Sequence, residues 1–154
     1  MVYLVTHGER LFGVNPSHTY DGILQIEKLV LREEISLVVI GTGARFREIY
    51  NTMINRGHLQ QDTPVKYSPF CGSADGLEAN KDVILIDGTT VSLDDYISIG
   101  SNCFNAWKFI SSLPDKTLLC AGGELMTALE LANINKKGHL YELDPEAKTG
   151  KKIQ

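Results

Sequence analysis

Chemistry is most directly suggested where a histidine stands between a short apolar run and a glycine, in Val2-Tyr3-Leu4-Val5-Thr6-His7-Gly8-Glu9-Arg10. A neutral imidazole offers a lone pair for nucleophilic attack or proton transfer. The glycine after it lets backbone or ligand come close. Two other segments repeat the arrangement. Ile40-Gly41-Thr42-Gly43-Ala44-Arg45 and Cys120-Ala121-Gly122-Gly123-Glu124 each run from an apolar stretch through glycine into a helical pattern. Helix N-termini present unpaired N–H groups and the positive end of the dipole. Arg45 adds a guanidinium suited to an oxyanion, and an arginine in a first helical turn opposes the dipole unless an anion is at hand. The three segments together predict an anion site, most simply for phosphate. A dinucleotide turn at Gly41–Arg45 is a weaker reading, because its fingerprint requires a third glycine where Phe46 stands.

The elements that position these residues alternate between strand and helix, which predicts an α/β fold with a mostly parallel central sheet and helices on both faces. Val2 to Val5 have the unbroken apolar character of a strand buried on both sides. Asp21 is the expected N-cap of a helix reaching Arg32. Ser36 to Gly41 is a strand, Gly43 to Arg56 a helix closed by Gly57, and Pro64 to Tyr67 a short strand. Ser68 to Gly76 is a loop, Val83 to Ile86 a buried strand, and Asp87-Gly88-Thr89-Thr90 turn chemistry. A short helix is expected from Ser92 or Leu93 through Tyr96, and a longer one from Ser101 that Pro114 ends. Thr117 to Ala121 is the next strand, Gly122 to Asn133 the next helix, and Gly138 to Leu143 a last edge strand.

The bulk properties narrow the function classes. The 154 residues suit one domain, 1–154, with 43% hydrophobic and 22% charged content. A formal net charge of −4 argues against a broad nucleic-acid surface. Lys148, Lys151 and Lys152 read as a solvated tail. The apolar runs are too short to span a bilayer, and the N-terminus lacks the marks of a signal peptide. Cys71, Cys103 and Cys120 are widely spaced, so neither a zinc site nor a disulfide framework is expected, and the reducing cytoplasm is the expected location. His18, His58 and His139 are scattered and read as surface or loop residues. No cofactor is expected, and nothing in the sequence fixes the oligomeric state.

The order of motifs resembles the histidine phosphatase superfamily, the phosphoglycerate-mutase-like fold. That family opens on a strand ending Arg-His-Gly-Glu, where this chain has Thr6-His7-Gly8-Glu9. Tyr20-Asp21-Gly22-Ile23-Leu24-Gln25-Ile26 echoes its Leu-Thr-x-x-Gly-x-x-Gln-Ala helix start. Gly41-Thr42-Gly43-Ala44-Arg45 occupies the slot of its Ser-Ser-Pro-x-x-Arg. Cys120-Ala121-Gly122-Gly123 stands where it has Ser/Thr-His-Gly-Gly. The resemblance implies that His7 is a nucleophile that becomes phosphohistidine and that Arg45 clamps the phosphate. It implies backbone contacts at Gly8 and Gly122, and a carboxylic acid at Glu78, with Asp75 as the near alternative. Two departures bear on activity. Thr6 replaces the motif arginine and Ala121 the second histidine, and each such oxyanion donor is worth on the order of a hundred- to a thousand-fold in rate. Arg10, Arg47 and His18 are the candidate replacements. The reading is a diverged member that binds a phosphorylated small molecule or phosphoprotein, or weakly hydrolyses phosphomonoesters. The alternative is a non-catalytic regulatory or interaction module that kept the fold.

Overall fold

The computed structural model describes residues 1–13, 16–41, 43–71, 82–84, 90–92, 106–131 and 138–154. Apolar runs at Val2–Thr6 (β1), Leu37–Ile40 (β2), Val65–Tyr67 (β3) and Thr117–Ala121 (β6) form parallel strands. With Leu140–Asp144 (β7) and Thr149–Lys152 (β8) they build a six-stranded sheet in the order β3-β2-β6-β1-β7-β8. β7 runs antiparallel to both β1 and β8. Asp82–Ile84 (β4) and Thr90–Ser92 (β5) pair with each other in a separate two-stranded antiparallel sheet. The sequence placed a strand at Val83–Ile86, and its described part pairs locally, outside the main sheet. Ser92 lies in β5 and not at a helix start; residues 85–89 and 93–105 lie outside the described residues.

Alternation along the strands divides the core in two. Tyr3, Val5, Val38, Ile40, Leu118 and Cys120 face one side. Against them pack Ile26 of Tyr20–Glu27 (α1) and Phe46, Ile49 and Met53 of Ala44–Asn55 (α2). Val2, Leu4, Val39, Leu119 and Ala121 face the other side. There they meet Phe109 and Ile110 of Ala106–Ser112 (α3) and Leu125 and Met126 of Gly123–Ala128 (α4). The result is the expected three-layer α/β/α arrangement.

The helix ends show which local signals win. The N-cap of α1 is Thr19, whose Oγ1 accepts from the Gly22 N–H at 3.0 Å; Asp21 is instead the acidic residue of the first turn. A cap must stand three residues before the N–H it serves, and Thr19 meets that condition for Gly22. α2 closes in a Schellman motif: Gly57, at φ +76°, donates to the Ile54 carbonyl, and His58 donates to that of Met53. α4 stops at Ala128, five residues before the expected Asn133, because Glu130 adopts φ +55°. The expected edge strand at 138–143 is an inner strand, since β8 covers it. The reversal is fastened by Asp144, whose Oδ1 accepts from the Glu146 and Ala147 N–H groups, and Lys148 takes φ +53°.

One contact ties α1 to the end of β1. A Cβ at Gly22 would collide with the Glu9 carbonyl oxygen, and a Cβ at Gly8 with the carbonyl oxygen of Gly22. In an unconstrained helix, Gly→Ala adds about 1 kcal/mol of stability. Gly22→Ala is expected to do the opposite and lower the Tm, read by thermal denaturation under circular dichroism. An unchanged or raised Tm would mean that α1 can move away from β1.

Candidate functional site

His7 is the first residue past β1 and is 9% exposed. It continues the alternation of Tyr3 and Val5, so its ring lies toward the α1–α2 layer, 6.1 Å from the ring of Phe46. A Cβ at Gly122 would touch both His7 and Phe46, so glycine there leaves the imidazole its space. Nδ1 of His7 lies 2.7 Å from the Gly8 carbonyl oxygen. A carbonyl only accepts, so Nδ1 carries the proton and Nε2 holds the lone pair. Burial pulls the His7 pKa down to about 4, with the charges of Arg45, His18 and Arg10 acting in the same direction against the Gly8 hydrogen bond. The ring is therefore neutral, and its Nε2 nucleophilic, at physiological pH.

The cations around it come from two elements. Arg45 lies in the first turn of α2, and its guanidinium lies over the Phe46 ring at 4.3 Å. The buried Phe46 ring is thus adjacent to both the Arg45 guanidinium and the His7 imidazole. The charge of Arg10 acts on His7 because the chain turns back. Arg10 bridges His18 in antiparallel fashion, Leu11 donates to the Ser17 carbonyl at 2.9 Å, and Thr19 donates to that of Glu9 at 3.0 Å. Arg47, the other arginine considered, lies over Tyr50 and Tyr67 instead.

The two positions that depart from the family motif have taken up structural duties. Thr6 and Ala121 are neighbours in register on β1 and β6. The Thr6 hydroxyl accepts from the His139 N–H at 3.0 Å, and Ala121 is fully buried in the apolar cluster beneath α3 and α4. The glycines expected to offer backbone donors to phosphate use them internally. Gly8 N–H donates to Nε2 of His18 at 2.9 Å, and Gly122 N–H donates to the Cys71 carbonyl at 2.8 Å. What both glycines supply is room. Glu78 and Asp75 lie outside the described residues.

His18 corrects the expectation of a surface residue: it is 6% exposed. Its Nε2 accepts from Gly8, so its Nδ1 carries the proton and donates to Glu48 Oε1 at 3.1 Å. Burial lowers its pKa, outweighing the pull of Glu48. No local pattern marked it, because its partners lie ten and thirty residues away.

Compared by sequence, the chain matches no family model and no curated protein. Compared by structure, it resembles three solved phosphatases. A protein described as phosphohistidine phosphatase SixA from Agrobacterium tumefaciens has a TM-score of 0.56 at 12% identity, over 99% of this chain and 94% of that one. A mycobacterial glucosyl-3-phosphoglycerate phosphatase has a TM-score of 0.51 at 11% identity, over 99% and 96%. The protein histidine phosphatase SixA, complexed with tungstate, has a TM-score of 0.50 at 12% identity, over 99% and 94%. The chain shares the overall fold of these three structures. No helix among the described residues is long and apolar enough to cross a membrane.

The buried histidines make stability depend on pH. His7 titrates at about 4 in the fold, against an ordinary value of 6.5. Between those values the unfolded chain binds more protons, so stability is complete above about 6.5 and is lost as the pH falls toward 4. His18 acts in the same direction. The Tm should therefore drop through that window, and His7→Gln should flatten the drop. Parallel curves for the two proteins would remove His7 as a cause.

Proposed function

We propose that the end of β1 binds the phosphoryl group of a phosphorylated small molecule or phosphoprotein, and that His7 hydrolyses phosphomonoesters weakly through a phosphohistidine. The observation that carries the reading is the orientation of His7: Nδ1 donates to Gly8, and Nε2 is left as a buried, unprotonated nucleophile in the field of Arg45 and Arg10. In the first step the Nε2–P bond forms as the ester O–P bond breaks. The leaving oxygen takes the electron pair and a proton from an acid, the role assigned to Glu78. The phosphorylated ring is cationic, and the Gly8 carbonyl stabilises it through Nδ1–H. Water then attacks phosphorus and gives a proton back to the carboxylate, the N–P bond breaks with its electron pair returning to Nε2, and orthophosphate leaves a neutral His7. Arg45, with Arg10 nearby, balances charge on the equatorial oxygens. The three structural relatives are phosphatases, which supports the same chemistry here.

The reading takes residues 1–154 as one domain and places it in the cytoplasm, where the buried free thiols of Cys71 and Cys120 remain reduced. A second reading, a non-catalytic regulatory or interaction module, is favoured by Thr6 and Ala121. Their side chains are committed to His139 and to the apolar core, so two oxyanion donors are missing.

Hydrolysis of an aryl phosphate decides between them. The wild type should turn over slowly, and His7→Ala should not turn over. Arg45→Gln should lower kcat/KM on the order of 100- to 1,000-fold. The acid limb of kcat/KM should fall near pH 4, where free His7 takes up its proton. Turnover that survives His7→Ala would exclude the phosphohistidine. No turnover in any protein, with inorganic phosphate still bound, would favour the second reading.

A further inference from the structure

Gly8 sits between two peptide planes, and each is held by a side chain from outside β1. The N–H of the His7–Gly8 peptide donates to Nε2 of His18 at 2.9 Å. The next peptide is held at both ends. Its N–H, on Glu9, donates to Gln25 Oε1 at 2.8 Å, and its carbonyl, on Gly8, accepts from Nδ1 of His7 at 2.7 Å. A glycine has no side chain to restrict its φ and ψ, so these hydrogen bonds determine where its carbonyl points. His18 is held in turn by Glu48 Oε1, which accepts from both its backbone N–H at 2.9 Å and its Nδ1–H at 3.1 Å. One carboxylate oxygen therefore fixes both the position of His18 and its tautomer, which leaves Nε2 as an acceptor.

We propose that His18, oriented by Glu48, is a positioning residue: it holds the His7–Gly8 peptide, as Gln25 holds the next one, and with both peptides fixed the Gly8 carbonyl captures Nδ1–H of His7 and leaves Nε2 as the nucleophile. The chain of contacts runs Glu48, His18, Gly8, His7. It resembles a carboxylate–imidazole pair, but its output is a backbone orientation and not a proton. His18 touches neither the ester nor the phosphorus. Its 6.2 Å ring-centroid separation from His7 gives an edge contact, and the link between them passes through the peptide. This inference rests on the reading of His7 as a nucleophile, yet it makes a claim about the ring that is observable without turnover.

The test is the tautomer of His7 in the full-length protein, read from long-range proton–nitrogen correlations of the histidine side chains at neutral pH. In the wild type both His7 and His18 should carry the proton on Nδ1. His18→Phe removes the acceptor at similar bulk and should move a measurable share of His7 to the Nε2–H form. His18→Gln places an amide oxygen near the former Nε2 and should restore the wild-type tautomer. If the wild type turns over an aryl phosphate, kcat should drop on the order of 10- to 100-fold in His18→Phe, with KM little changed, and recover in His18→Gln. Glu48→Ala, at a partly exposed position, should loosen the His18 tautomer and shift His7 in the same direction; it decides the matter if His18→Phe does not fold. A His7 tautomer unchanged in Glu48→Ala, or in a folded His18→Phe, overturns the proposal. An inactive wild type in which the tautomer still follows His18 overturns the phosphatase reading and leaves the positioning role standing.

Discussion

Backbone lies directly on backbone where β1 meets α1, and the rest of the site depends on that approach. Gly8 and Gly22 leave no side chain between them. α1 can therefore place Gln25 on the Glu9 N–H, while Thr19 caps the helix and its backbone N–H donates to the Glu9 carbonyl. The segment between Glu9 and Thr19 is closed at its base by the same contact. That closure brings Arg10 beside His18 and both toward His7. Without it His7 would still stand at a strand end, but with neither a fixed tautomer nor a second positive charge nearby.

The sheet divides the work. One face carries the candidate site: His7, Phe46 and Arg45 lie on the α1–α2 side, and Phe46 supplies the surface against which the imidazole and the guanidinium are both placed. The other face, beneath α3 and α4, has absorbed Ala121 into a fully apolar cluster. Thr6 stands next to it in register and ties β1 to the start of β7 through His139. The two residues that differ from the motif the chain resembles thus contribute to packing and to sheet registry.

Continuous apolar character and glycine punctuation were legible in the sequence. Val2–Val5, Leu37–Ile40, Val65–Tyr67 and Thr117–Ala121 are strands as their composition implies, and Gly57 ends α2 as its φ allows. Errors arose where a residue other than glycine took the left-handed conformation. Glu130 ends α4 early, and Lys148 turns the chain into a strand that composition marked as a tail. At the candidate site, the places of His7 and Arg45 at a strand end and a helix start were legible, and Thr6 and Ala121 were visible as departures from a motif. The burial of His18 was not legible, because it arises from the reversal between Arg10 and Thr19 and from a carboxylate on a different helix. The place of Arg10 beside it follows from the same reversal.

The outer strand β8 has a consequence of a different kind. Among the described residues its one strand neighbour is β7, and an edge strand presents unpaired backbone groups that favour fibrillar growth. Thr149, Lys151 and Lys152 are exposed along it. A second copy of this strand brought alongside would crowd ammonium groups that cannot be neutralised within the new ladder. Two residues that read as an inert tail therefore act as gatekeepers at an open sheet margin, and replacing them with β-branched apolar residues would turn that margin into a nucleus for aggregation.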